Sequence, residues 1–206
     1  MAALNLGAAG SAPAVEAPDL TIHPWGWALA ALPFLAAWVL SALVARAAAR
    51  NGRAAASPVP ALADWSPAAK TLVFLYLGAT ALTHLFAVGA IWQATRVAVN
   101  GNAEYFRFAK PLHLFRMSHQ HAFGHGTMYL LVGALALATR APVRAAAFGI
   151  GLTFLGALAD LASWWLQKYG GPSFEPLSMG GGAAFAAGFA LLALLILRDL
   201  LTARRA

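Results

Sequence analysis

Five stretches of the chain, Leu20 to Ala45, Thr71 to Thr95, Met117 to Thr139, Ala145 to Ala159 and Leu177 to Leu197, contain no Asp, Glu, Lys or Arg. Four of the five are long enough, as helices, to cross a bilayer core about 30 Å thick. A chain built this way has few alternatives, because lipid offers no partner to backbone N–H and C=O groups and a spanning segment must satisfy them itself. The strict apolar and polar alternation of a barrel strand is absent, so the spans are helices. Only 10% of the 206 residues are charged and 61% are apolar, against roughly 25% charged in a soluble domain. The sequence therefore predicts an all-α integral membrane bundle of about five transmembrane helices.

Helix ends follow from proline and glycine. Pro24, Pro67 and Pro142 stand where helices begin, and proline suits a first turn because its missing N–H needs no partner there. Asn51-Gly52-Arg53 through Pro60, Asn100-Gly101-Asn102 and Gly170-Gly171-Pro172 mark breaks. These signals place helices near 24–46, 67–95, 113–139, 142–168 and 177–198, with Asp160 interrupting the fourth. Residues 1–22 read as a mobile extracytoplasmic tail, since Glu16 and Asp19 stand there without the basic residues of a signal peptide. Residues 23–206 read as one transmembrane helical domain.

The formal charge of +7 comes from 14 Lys and Arg residues scattered in small groups between the apolar runs. That is a topology signal and not the basic face of a nucleic-acid binder. Arg46, Arg50, Arg53, Lys70, Arg140, Arg144, Arg198, Arg204 and Arg205 fall on one side of the membrane; Arg96, Arg107, Lys110, Arg116 and Lys168 fall on the other. By the positive-inside rule the first set is cytoplasmic, which puts the N-terminus outside and the C-terminus in the cytoplasm. Composition and topology together suggest a multi-pass protein of a bacterial inner membrane. The loop from Val97 to Lys110 mixes Tyr105, Phe106 and Phe108 with Arg107 and Lys110 and reads as a short interfacial helix.

With no cysteine in the chain, disulfides, thiolate clusters, c-type haem attachment and blue-copper sites are excluded. Any cofactor binds through His, Met or carboxylate. Five of the six histidines fall in two places: His84 inside the second run, and His113, His119, His121 and His125 at the start of the third. Residues four apart share a helix face, so His113, Met117, His121 and His125 form one stripe, with His119 turned away from it. Counting 1.5 Å per residue from the helix ends brings His84, His121, His125 and Asp160 to one outer-side layer. Ionisable groups inside a membrane are costly unless paired and are candidates for a functional site.

Two imidazoles from different helices are the ligand set of a b-type haem, with His84 opposite His121 or His125 and with His119 or His113 available for a second haem or a proton path. Gly78, Ala79, Ala81, Ala87 and Gly89 beside His84, and Ala122, Gly124 and Gly126 beside the others, leave room for a flat ring or for close helix packing. The run His121-Ala122-Phe123-Gly124-His125-Gly126, entering an apolar helix, resembles the haem-ligating histidines of membrane b-type cytochromes and haem–copper oxidases. The resemblance covers these few residues, and the chain differs from those families in length and in histidine spacing between helices. The reading that the histidine layer favours is a membrane b-type haem protein that passes electrons between quinol and an extracytoplasmic redox protein.

A second reading is copper or another transition metal held by His84, His121, His125 and Asp160, with His113 and Met117 as an access path, in a transporter or a metalloenzyme accessory factor. In a third, the chain is a structural or assembly subunit of a larger membrane complex. Trp164, Trp165 and Tyr169 read as an interfacial belt, and Gly180, Gly181, Gly182 and Gly188 as close-packing positions. No catalytic constellation is evident: Ser118 lies near His119 and His121, but no orienting acid or oxyanion hole accompanies it.

Overall fold

A computed structural model describes residues 35–47, 60–99 and 101–202. The expected tail, the first half of the helix near 24–46 and most of the connector after it lie outside the described residues. Within them are α1 (Leu35–Ala47), α2 (Pro67–Trp92), α3 (Asn102–Phe108), α4 (Pro111–Leu137), α5 (Val143–Gly170) and α6 (Glu175–Leu201), with no strand. A π-helical turn, Gln93–Val97, prolongs α2, and single 3-10 turns, Leu62–Asp64 and Pro172–Phe174, precede α2 and α6.

The starts match their local chemistry. Pro67 opens α2 behind Ser66, whose hydroxyl accepts from the Ala69 N–H at 3.3 Å, and Pro111 opens α4. Pro142 stands just outside α5, as its N-cap residue. At two of the breaks the backbone enters the region that glycine tolerates, with φ of 140° at Gly101 and 99° at Gly171.

Three helices, Pro67–Val97, Val143–Gly170 and Pro172–Leu201, are long and apolar enough to cross a membrane. α4 opens with Arg116 and four histidines and is less apolar, yet it runs antiparallel to α5 from the Leu114–Trp164 packing at one end to Gly133 against Ile150 at the other. It therefore traverses the same depth. Large apolar side chains of α2, among them Leu72, Leu75, Leu85, Phe86 and Trp92, are exposed and face lipid.

α5 and α6 are the tightest pair. A methyl group at Gly156 would collide with the Phe185 backbone, one at Gly181 would lie 2.5 Å from the Asp160 nitrogen, and one at Gly188 2.6 Å from the Thr153 nitrogen. Small residues here let two backbones touch, as membrane helices do in place of hydrophobic burial. Gly182 borders open space instead, so its smallness serves no packing. α1 lies on the other face of α5, with buried Ser41 against Gly151 and Trp38 edge-on to Phe148 at 5.7 Å.

At the end opposite the histidines, buried Asp199 joins three segments. Its carboxylate accepts from the Ala63 N–H at 2.9 Å and from the Arg140 N–H at 3.2 Å. The Leu62 N–H donates to the Ala138 carbonyl at 2.9 Å, and Arg140 pairs with Asp64 at 2.6 Å. A carboxylate in the last turn of a helix opposes the macrodipole, so the two backbone donors compensate for an otherwise unfavourable position.

Candidate functional site

α2 and α4 approach one another where α2 carries His84 and α4 carries His121 and His125, one turn apart. The Nδ1 of His84 lies 2.8 Å from the Thr80 carbonyl, and the Nδ1 of His121 lies 2.8 Å from the Met117 carbonyl. A carbonyl only accepts, so each ring carries its proton on Nδ1 and presents Nε2 as a lone pair. At His84 the Tyr129 hydroxyl donates to that Nε2 at 3.1 Å.

The rings gather across the helices. The His84 and His125 centroids are 6.2 Å apart with planes 14° from parallel, and His121 meets His125 edge-on at 5.3 Å. His84 also lies on Phe189 at 4.9 Å and beside Phe185 at 5.6 Å, both on α6. Fully buried Tyr129 stands 5.2 Å from His125 and completes an aromatic enclosure. Among the described residues no hydrogen bond involves the His125 ring, which makes ring contacts alone.

Asp160 finds its partner on α6 and not in the cations Arg96 and Lys168. The Ser178 hydroxyl of α6 donates to its carboxylate. Arg96 pairs instead with Glu175 at 3.1 Å, and the Lys168 ammonium donates to the Ala109 carbonyl at 2.5 Å and to that of Arg107 at 3.3 Å. The lysine thereby satisfies carbonyls at the end of α3.

A cavity of about 210 Å³ lies between α4 and α5, lined by His121, His125, Tyr129, Phe154, Asp160 and Trp164. It opens beside Ala122 and Leu158, which are exposed on the lipid-facing surface.

The expected metal set of His84, His121, His125 and Asp160, with His113 on its access path, forms no single cluster among the described residues. Among the described residues no three His, Asp or Glu side chains gather closely enough for one ion. Asp160 is turned to Ser178, and His113 is exposed at the start of α4. His119 is exposed as well and stands apart from the rings, as its position off the stripe implies. Met117 packs beside Phe106, Leu114 and Trp164 and receives the Tyr105 hydroxyl on its sulfur at 3.7 Å.

The tryptophan belt needs correction too. Trp164 is buried because α3 folds back on α5: its indole stacks on Phe106 at 5.3 Å and meets His121 edge-on at 4.9 Å. Trp165 donates to Ser118 at 2.9 Å, while Tyr169 remains exposed.

Sequence reasoning overlooked Tyr129, Phe185, Phe189 and Ser178. Tyr129 was within reach, four residues past His125 on the same stripe. Phe185 and Phe189 are also four apart, but only their packing against α2 and α4 distinguishes them from lipid-facing residues.

Residues 95–206, more than half of the chain, match the family Aq_1264_TM, described as a transmembrane helical domain. The chain belongs to this family. The matched segment contains α3 to α6, and with them His121, His125, Asp160 and Ser178, whereas His84 on α2 precedes it. No curated protein and no solved structure matches the chain.

Proposed function

We propose that this membrane protein transfers electrons through a b-type haem, which His84 on α2 and His125 on α4 would hold. The observation that carries the reading is the pair itself: two imidazoles from different helices whose centres lie 6.2 Å apart.

Two further features support the fit. The Nδ1–H of His84 is anchored on a backbone carbonyl, the arrangement that orients metal-binding histidines and raises the basicity of the other nitrogen. Gly126, which lines the cavity beside His125, borders open space, where a Cβ would meet no atom within 4 Å. When bound, the haem supplies a one-electron couple. The chain's own part is to hold the two imidazoles, to enclose them with Tyr129, Phe185 and Phe189, and to set the polarity around them.

In this reading the bundle lies in a bacterial inner membrane, with the histidine end toward the outer face. Electrons pass from quinol to an extracytoplasmic redox protein. A metal ion without porphyrin is the weaker alternative, since it would have two imidazoles and no third side-chain ligand among the described residues. A purely structural subunit would have no need of two imidazoles brought together from different helices, one of them anchored at Nδ1.

Haem titration into the purified protein tests the proposal. One haem per chain is expected, with affinity reduced at least tenfold in His84→Ala and in His125→Ala while both variants keep wild-type helix content by circular dichroism. Unchanged affinity in either variant would overturn the ligand assignment.

A further inference from the structure

We infer that the cavity between α4 and α5 is the binding site for the head group of a membrane quinol, held by the His121 Nε2 and the Asp160 carboxylate. The inference deepens the electron-transfer reading by locating its electron donor, and it rests on that reading for its role.

Size comes first. A cavity of about 150 Å³ accommodates benzene, so the 210 Å³ here suits one six-membered ring bearing oxygens. Much of the lining is apolar, including Phe154, Leu158 and Leu161, and the mouth at Ala122 and Leu158 faces lipid. An occupant therefore arrives from the bilayer and leaves an apolar tail there.

Hydrogen-bonding chemistry then selects the redox form. His121 spends its Nδ1 proton on the Met117 carbonyl, leaving Nε2 as an acceptor. Asp160 takes one hydroxyl proton from Ser178, and lone pairs remain on its carboxyl oxygens to accept another. The Tyr129 hydroxyl donates to His84 as long as no metal takes that nitrogen. Two acceptors on facing helices call for a ligand with two donors. A quinol has two hydroxyls and meets that requirement; its quinone has two carbonyls and leaves both acceptors unpaired, a difference that polar sites read strongly.

Position gives the site its purpose. His125 lines the same cavity and is also the proposed ligand on α4, so the bound ring lies against the residue that connects it to the electron-transfer centre.

The test measures equilibrium binding of decylubiquinol and decylubiquinone, under anaerobic conditions, to the protein as purified in detergent. Haem content is determined on the same sample. Saturable binding of one quinol per chain is expected, at least tenfold tighter than the quinone. Asp160→Asn, which keeps a partner for Ser178, and Ala122→Trp, which caps the mouth from an exposed position, are each expected to weaken quinol binding tenfold or more. Absent or non-saturable binding, equal affinity for the two forms, or wild-type affinity in either variant would overturn the site. Saturable quinol binding in a sample that holds no haem would uphold the cavity and refute the haem reading, so the two fail separately.

Discussion

His84 on α2 faces His125 on α4 across 6.2 Å, with the two ring planes 14° from parallel. The pair joins a helix outside the family-matched segment to one inside it. If the pair is a ligand set, replacing either member removes the haem, while His119 and His113, both exposed, are dispensable. We expect His119→Ala and His113→Ala to keep wild-type haem content, and His84→Ala and His125→Ala to lose most of it, measured as haem per chain after purification.

Tyr129 supplies the next test, because its hydroxyl donates to the nitrogen that a metal at His84 would use. Tyr129→Phe removes that competitor and preserves the ring that fills the buried site. Haem affinity is expected to stay level or rise a few-fold, with an unfolding cost of about 1 kcal/mol for the lost hydrogen bond. A strong fall in affinity would show that the hydroxyl assists the site.

The glycines divide into packed and open sets, and stability should divide with them. Gly181→Ala would set a methyl 2.5 Å from the Asp160 backbone and should destabilise by about 1–3 kcal/mol, the usual range for overpacking. Gly126→Ala meets no neighbour within 4 Å and gains about 1 kcal/mol of helix propensity at most. Denaturant unfolding in detergent distinguishes the two.

Much of this fold was legible because apolar length and proline position act locally. Ser66-Pro67 at the start of α2, the turns at Gly101 and Gly171 and the short helix of the 97–110 loop depend on neighbouring residues alone. The helical period likewise brought His121 and His125 to one face and turned His119 away. What remained hidden depends on partners distant in sequence. Asp160 stood out as an acid inside an apolar helix, but its partner did not: the close α5–α6 approach at Gly181 delivers Ser178 to it. Trp164 looked interfacial until α3 placed Phe106 over it.

Asp199 is a further case, since a single acid among arginines at a helix end resembles a solvated surface residue. The structure buries it against the Ala63 and Arg140 N–H groups. Asp199→Ala strands both donors and should cost about 2–4 kcal/mol, given about 1.5–3 kcal/mol for a hydrogen bond to a charged group. Asp199→Asn should cost less. Neither change should alter haem content, because the site lies at the opposite end of the bundle; thermal unfolding and haem assay on the same samples check both statements.

The most direct measurement is the reduced-minus-oxidised visible spectrum of the protein purified from cells with ample haem supply. The account predicts the sharp α-band of a low-spin bis-histidine b-type haem, present in wild type and in His119→Ala and lost in His84→Ala. A featureless spectrum from folded protein, or an α-band that survives both His84→Ala and His125→Ala, would contradict it.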